Sequence, residues 1–276
     1  FDDAIQRLLA AKGDPGQLAL ATVEIVLQGQ DPSLRLAFKA AAVPRWFDAH
    51  ILAALLDDDE AVAAQYVAGL KELPMVESFA ARNGWNVHEA TRLAMRRHLA
   101  RDELTRLQDL STRAAGSFTG GDPVSRIEQI YHRLLAEPNS AAAELNTLWK
   151  EWDRAGSHEQ LQALAVALDE LLRAELLSGN ARARALLCVG WIRGGRLRLR
   201  HSVSMAREAL NPFDNTGDPD GRMDAREQLG DVLQSSGNLA GALAAYLDFH
   251  QLAGSLARRD VGKLEWQRSL GASHNK

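Results

Sequence analysis

Apolar and polar positions alternate at helical spacing along most of this chain. The clearest case runs from Asp224 to Phe249, DAREQLGDVLQSSGNLAGALAAYLDF. Ala225, Leu229, Val232 and Leu233 recur at i, i+4, i+7 and i+8, one apolar stripe of a short helix. Gly237 and Asn238 tolerate left-handed backbone and reverse the chain. A second short helix follows, with small Gly241 and Ala242 placed for close approach of a neighbouring backbone and Tyr246 and Phe249 as larger plugs.

Upstream the same period predicts helices over Phe1–Lys12 and Gln17–Leu27, broken by Gly13-Asp14-Pro15-Gly16. Asp31-Pro32-Ser33 supplies an N-cap and a first-turn proline. The run from Leu34 to Leu56 is divided at Pro44, which has no amide proton and disfavours helix in the residue before it. Asp57–Glu60 places acids at the start of a helix reaching about Leu73, where the dipole favours them. The period then drops to two. Val76–Phe79 and Trp85–Val87 flank Arg82-Asn83-Gly84, a hairpin signal. Helical spacing returns from His88 to Leu99 and persists through Arg101–Ala115, Arg126–Pro138, Asn139–Arg154, a long helix after Ser157, Ala181–Arg193 and His201–Leu210. Asn211 to Gly221 reads as a loop, and Val261–Lys276 opens a further helix. The fold class expected is all-α with one small β-hairpin.

Leu229-Gly230, Gly237, Ala242 and Tyr246 resemble the spaced small and large positions of a tetratricopeptide repeat (TPR), a helix pair of about 34 residues that cannot bury its apolar face alone. Residues 34–100 follow the order of a winged-helix module. AFKAAAVPRWFDAHILAALL and LPMVESFAARNGWNVHEATRLAMRRHL resemble the winged-helix domain of STAND-type signalling NTPases, the NB-ARC and NACHT relatives. RIEQIYHRLLAEP resembles the helix that follows that domain in TPR-bearing members. The resemblance implies residues 1–33 as a helical lead-in, 34–100 as the winged-helix-like module and 101–276 as a TPR-like superhelix. The first residue, Phe1, and the end inside a further repeat pattern suggest a piece of a longer protein. The nucleotide-binding core is then expected upstream.

At 276 residues the chain can bury a sizeable core. A net charge of −4 and a pI near 6.1 provide no global attraction to nucleic acid or anionic lipid. One cysteine, Cys188, excludes an intrachain disulfide and points to a reducing, cytoplasmic setting. No apolar run reaches the length of a membrane span.

Candidate chemistry is sparse. No GxxxxGK[ST] phosphate loop occurs, so the chain is not read as an enzyme and no cofactor is expected within it; ATP or ADP belongs to the full-length protein. In the STAND resemblance Val87-His88-Glu89 occupies the place of the MHD-like motif. That implies His88 as a nucleotide sensor acting only with the missing core; the alternative is a polar helix-start residue. His88-Glu89 is not a zinc-protease motif, because Arg92 stands where the second histidine belongs. DNTGDPDG, Asp214–Gly221, is acidic but has Pro219 and Ala225 where a calcium loop has glycine and glutamate. Cys188 lies in an apolar run and reads as core.

Two surfaces remain. Arg193, Arg196 and Arg198, with Arg182, Arg184 and Arg200, read either as solvated cations or as a patch for acidic peptides or phosphate. Asp224, Glu227, Asp231 and Gln234 lie on the face of the hairpin expected to be concave, which suits a basic or donor-rich partner. The function expected is a non-catalytic sensor or scaffold that binds a protein or peptide, with oligomerisation a candidate property of the full-length protein. The alternatives are a winged-helix DNA-binding regulator and a free-standing TPR adaptor. The predicted recognition helix, Glu60–Leu73, has no basic stripe for phosphates.

Overall fold

The computed structural model describes residues 6, 8–9, 11, 13–194 and 199–273. The helix expected over 1–12 therefore falls largely outside the described residues. The described residues form fourteen α-helices and one two-stranded sheet. They divide into two compact units, Phe1–Glu137 and Pro138–Lys276.

In the first unit the helices are α1 (Pro15–Gln28), α2 (Pro32–Ala41), α3 (Ala49–Leu56), α4 (Glu60–Leu70), α5 (Glu89–Asp102), α6 (Leu104–Ser117) and α7 (Pro123–Ala136). Aspartate caps start four of them. Asp14, Asp31, Asp48 and Asp122 each accept backbone N–H groups of the first turn, and three of these precede a proline at the first helical position. Pro44 separates α2 from α3 as the sequence predicts.

The hairpin consists of β1 (Val76–Phe79) and β2 (Gly84–Val87), antiparallel, with Val76 opposite Val87 and Phe79 opposite Gly84. A 3₁₀ turn at Ala80–Arg82 and a left-handed Asn83 (φ 49°) join the strands. The pairing extends to the α2–α3 connection, where Phe47 and Trp85 exchange backbone hydrogen bonds of 2.7 and 2.8 Å. This third, one-residue strand has no periodic signal in the sequence. The apolar core gathers Phe38, Phe47, Leu52, Leu55, Leu70, Leu99 and Leu107.

The unit extends beyond residues 34–100. α1 packs on α5, α6 packs on α3 and α5, and α7 packs on α6. The helices between 104 and 136, grouped by the sequence reading with the repeats, thus belong to the first compact unit. A buried polar cluster holds α7 there. Glu128, 2% exposed, accepts from Arg45 Nη2 at 2.6 Å and Nε at 3.1 Å. Arg96, fully buried, donates to the Ala42 carbonyl at 3.2 Å and to the Tyr131 hydroxyl. Arg45 and Arg96 lie 5.5 and 5.2 Å from the centre of the Tyr131 ring.

The second unit contains α8 (Pro138–Arg154), α9 (His158–Arg173), α10 (Gly179–Ile192), α11 (Leu199–Thr216), α12 (Pro219–Ser235), α13 (Leu239–Arg259) and α14 (Leu264–Ser273). α10 is buried on almost every side and packs on α8, α9, α11 and α12. From Ala185 to Ile192 its sequence is uninterruptedly apolar, which matches that central place. α9, α11 and α13 each pack on their neighbours in sequence.

The α12–α13 pair is the predicted hairpin, with both helices longer than the stripe suggested. Gly237 (φ 81°) makes the turn, and Asn238 caps α13 by accepting from the Gly241 N–H at 3.0 Å. Gly241 does not admit a neighbouring backbone. A Cβ there would meet the Asn238 side chain at 2.9 Å, so the glycine leaves room for the cap. The close approach is at Gly230, where the Tyr246 ring occupies the place of a side chain: a Cβ would lie 2.3 Å from Cε1.

The loop expected over Asn211–Gly221 is a correction. α11 continues through Pro212 to Thr216. Proline costs one helical hydrogen bond, but this extension buries Phe213 completely and leaves the Thr216 hydroxyl donating to the Pro212 carbonyl at 2.8 Å. The connection to α12 is only Gly217-Asp218.

Glu128→Ala leaves the Arg45 and Arg96 region without its buried carboxylate. Because Arg45 retains some contact with water, the cost is about 2–3 kcal/mol, less than for a fully buried pair. Urea denaturation followed by circular dichroism should show the transition of the first unit at lower denaturant with its slope unchanged.

Candidate functional site: the clefts along helix α12

Asp220, Asp224, Glu227, Asp231 and Gln234 follow spacings of three and four along α12, which places them on one face. Two clefts border it. The first, about 460 Å³, is lined by Asn146, Lys150 and Arg154 of α8, Asp220 and Asp224 of α12, and Glu265 and Arg268 of α14. The second, about 520 Å³, lies among Gly190, Trp191, Leu199, Asp231 and Gln234.

Most of the acidic groups on this face already have partners. Arg184 of α10, 5% exposed, donates to Asp224 at 2.5 Å and to Asp218 at 3.1 Å, with its guanidinium 4.9 Å from the Phe213 ring centre. Lys150 reaches the other Asp224 oxygen at 2.9 Å. Asp218 also caps α12 by accepting from the Gly221 N–H at 2.9 Å. Asp220 accepts from Trp266 Nε1 at 2.8 Å and Lys263 Nζ at 3.0 Å. Burial opposes ionisation of Asp220, but these two hydrogen bonds and the Lys263 charge outweigh it and hold its carboxyl below the ordinary range.

The Tyr246 hydroxyl donates to Asp231 at 2.7 Å and lies 3.2 Å from Gln234 Oε1. Burial, and then the Asp231 carboxylate, push the Tyr246 phenol upward, so it stays a donor at neutral pH. Exposed groups at the cleft rims are Arg154, Gln234, Glu265 and Arg268, with Trp191 half-exposed and its indole donating to Asp153 at 3.0 Å.

The structure therefore brings Asp224, Glu227, Asp231 and Gln234 to one face, with Asp224 and Asp231 serving the fold as well. Lys150, Arg154, Trp191 and Arg268 were missed. They come from helices far away in sequence, and no local signal marks them. Arg193 caps the end of α10 and pairs with Asp169 at 3.0 Å, and Arg182 pairs with Glu208 at 2.5 Å. Arg196 and Arg198 lie outside the described residues.

In the first unit His88 precedes α5, its N–H donating to the Met75 carbonyl at 2.9 Å. Its ring is half-exposed, with Nε2 3.4 Å from Glu77 Oε2. Arg92, in the position that breaks the zinc motif, is buried and donates to the carbonyls of Arg45 and Val87 at 3.3 Å. Among the described residues no group of three or more His, Cys, Asp or Glu side chains is arranged to hold a metal. The Asp214–Gly221 acids turn instead to Arg222, Arg226, Arg184 and Lys263. Cys188 is fully buried, which pushes its thiol upward and leaves it un-nucleophilic. No helix among the described residues is long and apolar enough to cross a membrane.

The lowered Asp220 carboxyl sets a pH signature. Its stabilisation is fully present above the unfolded value of about 3.9 and is lost as pH falls through the lower folded value. The difference in melting temperature between wild type and Asp220→Asn should be greatest above about pH 5 and close on acidification. A gap that stays constant with pH would show that the carboxylate plays no such part.

The chain matches no known family model, no curated protein and no solved structure.

Proposed function

We propose that the chain is a non-catalytic protein-recognition region. In this reading the second unit is a TPR-like array that receives an extended peptide or loop along α12, and the first is a winged-helix-like module. The observation that carries the reading is the acidic face of α12, bordered by two clefts whose rims come from α8, α10, α11 and α14. Backbone amides and alternate side chains of an extended segment find donors and acceptors there, while Trp191 offers an apolar surface. Because Asp224 and Asp231 have internal partners, the exposed Arg154, Arg268, Glu265 and Gln234 are the groups that select a ligand. A mixed-charge segment suits them better than a purely basic one.

The helix order of α2 to α5 with its hairpin, and the Phe47–Trp85 pairing, support the winged-helix reading of the first unit. Within a STAND-type signalling NTPase this module would couple the repeat surface to a nucleotide-bound core held elsewhere in the protein. His88, half-exposed at a helix start, would meet ADP or ATP supplied by that core. DNA binding is the weaker alternative. α4, EAVAAQYVAGL, has no Lys or Arg to meet phosphates.

A peptide library displayed on phage should yield ligands for the 276-residue chain that bind at least about tenfold more weakly to Arg154→Glu or Gln234→Lys. Failure to select any ligand, or binding indifferent to both changes, would remove this reading. With duplex DNA at low salt, where even non-specific contacts appear, no retardation is expected in a gel shift.

A further inference from the structure

Each of three helices presents one stripe to the first cleft. Lys150 and Arg154 lie four apart on α8, Asp220 and Asp224 four apart on α12, and Glu265 and Arg268 three apart on α14. α14 runs antiparallel to α13, as α12 does, so α12 and α14 are parallel. Lys263 and Trp266 hold Asp220. One turn further along, Arg268 stands level with Asp224, which Lys150 meets from the opposite wall. From this end α14 runs away from the cleft toward Ser273.

The charges of the cleft are not all used alike. Asp220 pairs with Lys263, and Asp224 pairs with both Lys150 and Arg184. Arg154 and Arg268 are exposed, and among the described residues neither has an ion-pair partner. They approach the cleft from different walls. Two guanidiniums facing one space are met best by a single group that carries close to two negative charges. A carboxylate neutralises one of them, whereas a phosphoryl group carries about −1.5 to −2 and has three acceptor oxygens. Asp224 keeps Arg184 if Lys150 turns away, so Lys150 can serve as a third donor without leaving a carboxylate unpaired.

We propose that the first cleft takes a phosphorylated serine or threonine of the segment lying along α12, held by Arg154 and Arg268 from opposite walls. The assignment rests on the peptide-recognition reading and gives it a residue type. Glu265 sets the flank. It is exposed, one turn before Arg268, and among the described residues has no ion-pair partner, so it favours Lys or Arg beside the phosphorylated residue. A free phosphate monoester shares the phosphoryl chemistry but cannot use Glu265 or the rest of the α12 face.

Two degenerate peptide libraries, one with a fixed central phosphoserine and one with serine there, are passed over the immobilised 276-residue chain. The phosphoserine library should be retained at least about tenfold better, with Lys or Arg enriched beside the fixed residue. In a peptide selected from it, removing the phosphate should weaken binding at least about 30-fold. Arg154→Gln and Arg268→Gln change exposed side chains and should leave the circular dichroism spectrum as it is. Each should weaken the phosphorylated peptide at least about tenfold and its unphosphorylated form less than about threefold. Glu265→Lys should remove the enrichment of basic neighbours. Equal retention of the two libraries, or variants that weaken both forms alike, would overturn the phosphoryl assignment and leave the peptide reading standing. Retention of neither library would remove both. Free O-phosphoserine that displaces the peptide at equal concentration would overturn the peptide source and assign the cleft to a small phosphate monoester.

Discussion

The second unit depends on the buried guanidinium of Arg184. A cation with so little access to water is tolerated only if its hydrogen bonds are met, and Asp218, the N-cap of α12, and Asp224, in its second turn, meet them. The pairing fixes the position of α12 against α10. Phe213 of α11 lies against the guanidinium and over Gly221, where a Cβ would come within 2.3 Å of the ring. Lys150 extends the network to α8. Four helices are thus aligned by one side chain, and both α12 clefts take their shape from that alignment.

The first unit uses the same device with different groups. Glu128 and Tyr131 on α7 face Arg45, which lies in the connection between α2 and α3, and Arg96, which donates to the Ala42 carbonyl in that connection. Apolar packing would allow α7 to slide along α6. A bidentate carboxylate contact permits one register, and it is this contact that ties α7 to a core formed some eighty residues earlier. The Phe47–Trp85 bridge forms in the same connection.

These networks also decide what is left for recognition. Of the acids on α12, Asp220, Asp224 and Asp231 are held by Lys263 and Trp266, by Lys150 and Arg184, and by Tyr246. The charges of Asp220 and Asp224 are balanced within the unit, and Asp231 is held by a neutral hydroxyl. The rim of the first cleft keeps Arg154, Glu265 and Arg268 exposed, and the second keeps the Asp231 carboxylate.

The sequence by itself determined the mostly helical class, the position of most helices among the described residues, and the hairpin. Those features are local: an aspartate followed by proline, an apolar stripe every three to four residues, a period of two around Asn83-Gly84. The α12–α13 turn was legible for the same reason, since Gly237 and Asn238 act on their immediate neighbours. What only the tertiary structure decided is long-range. Whether α11 ends before Pro212 or continues through it depends on the burial of Phe213 against another helix. Whether Asp224 is a surface carboxylate or half of an ion pair depends on Arg184, forty residues away. Helical spacing states which residues share a face, and only packing against other helices states which of them still meet solvent.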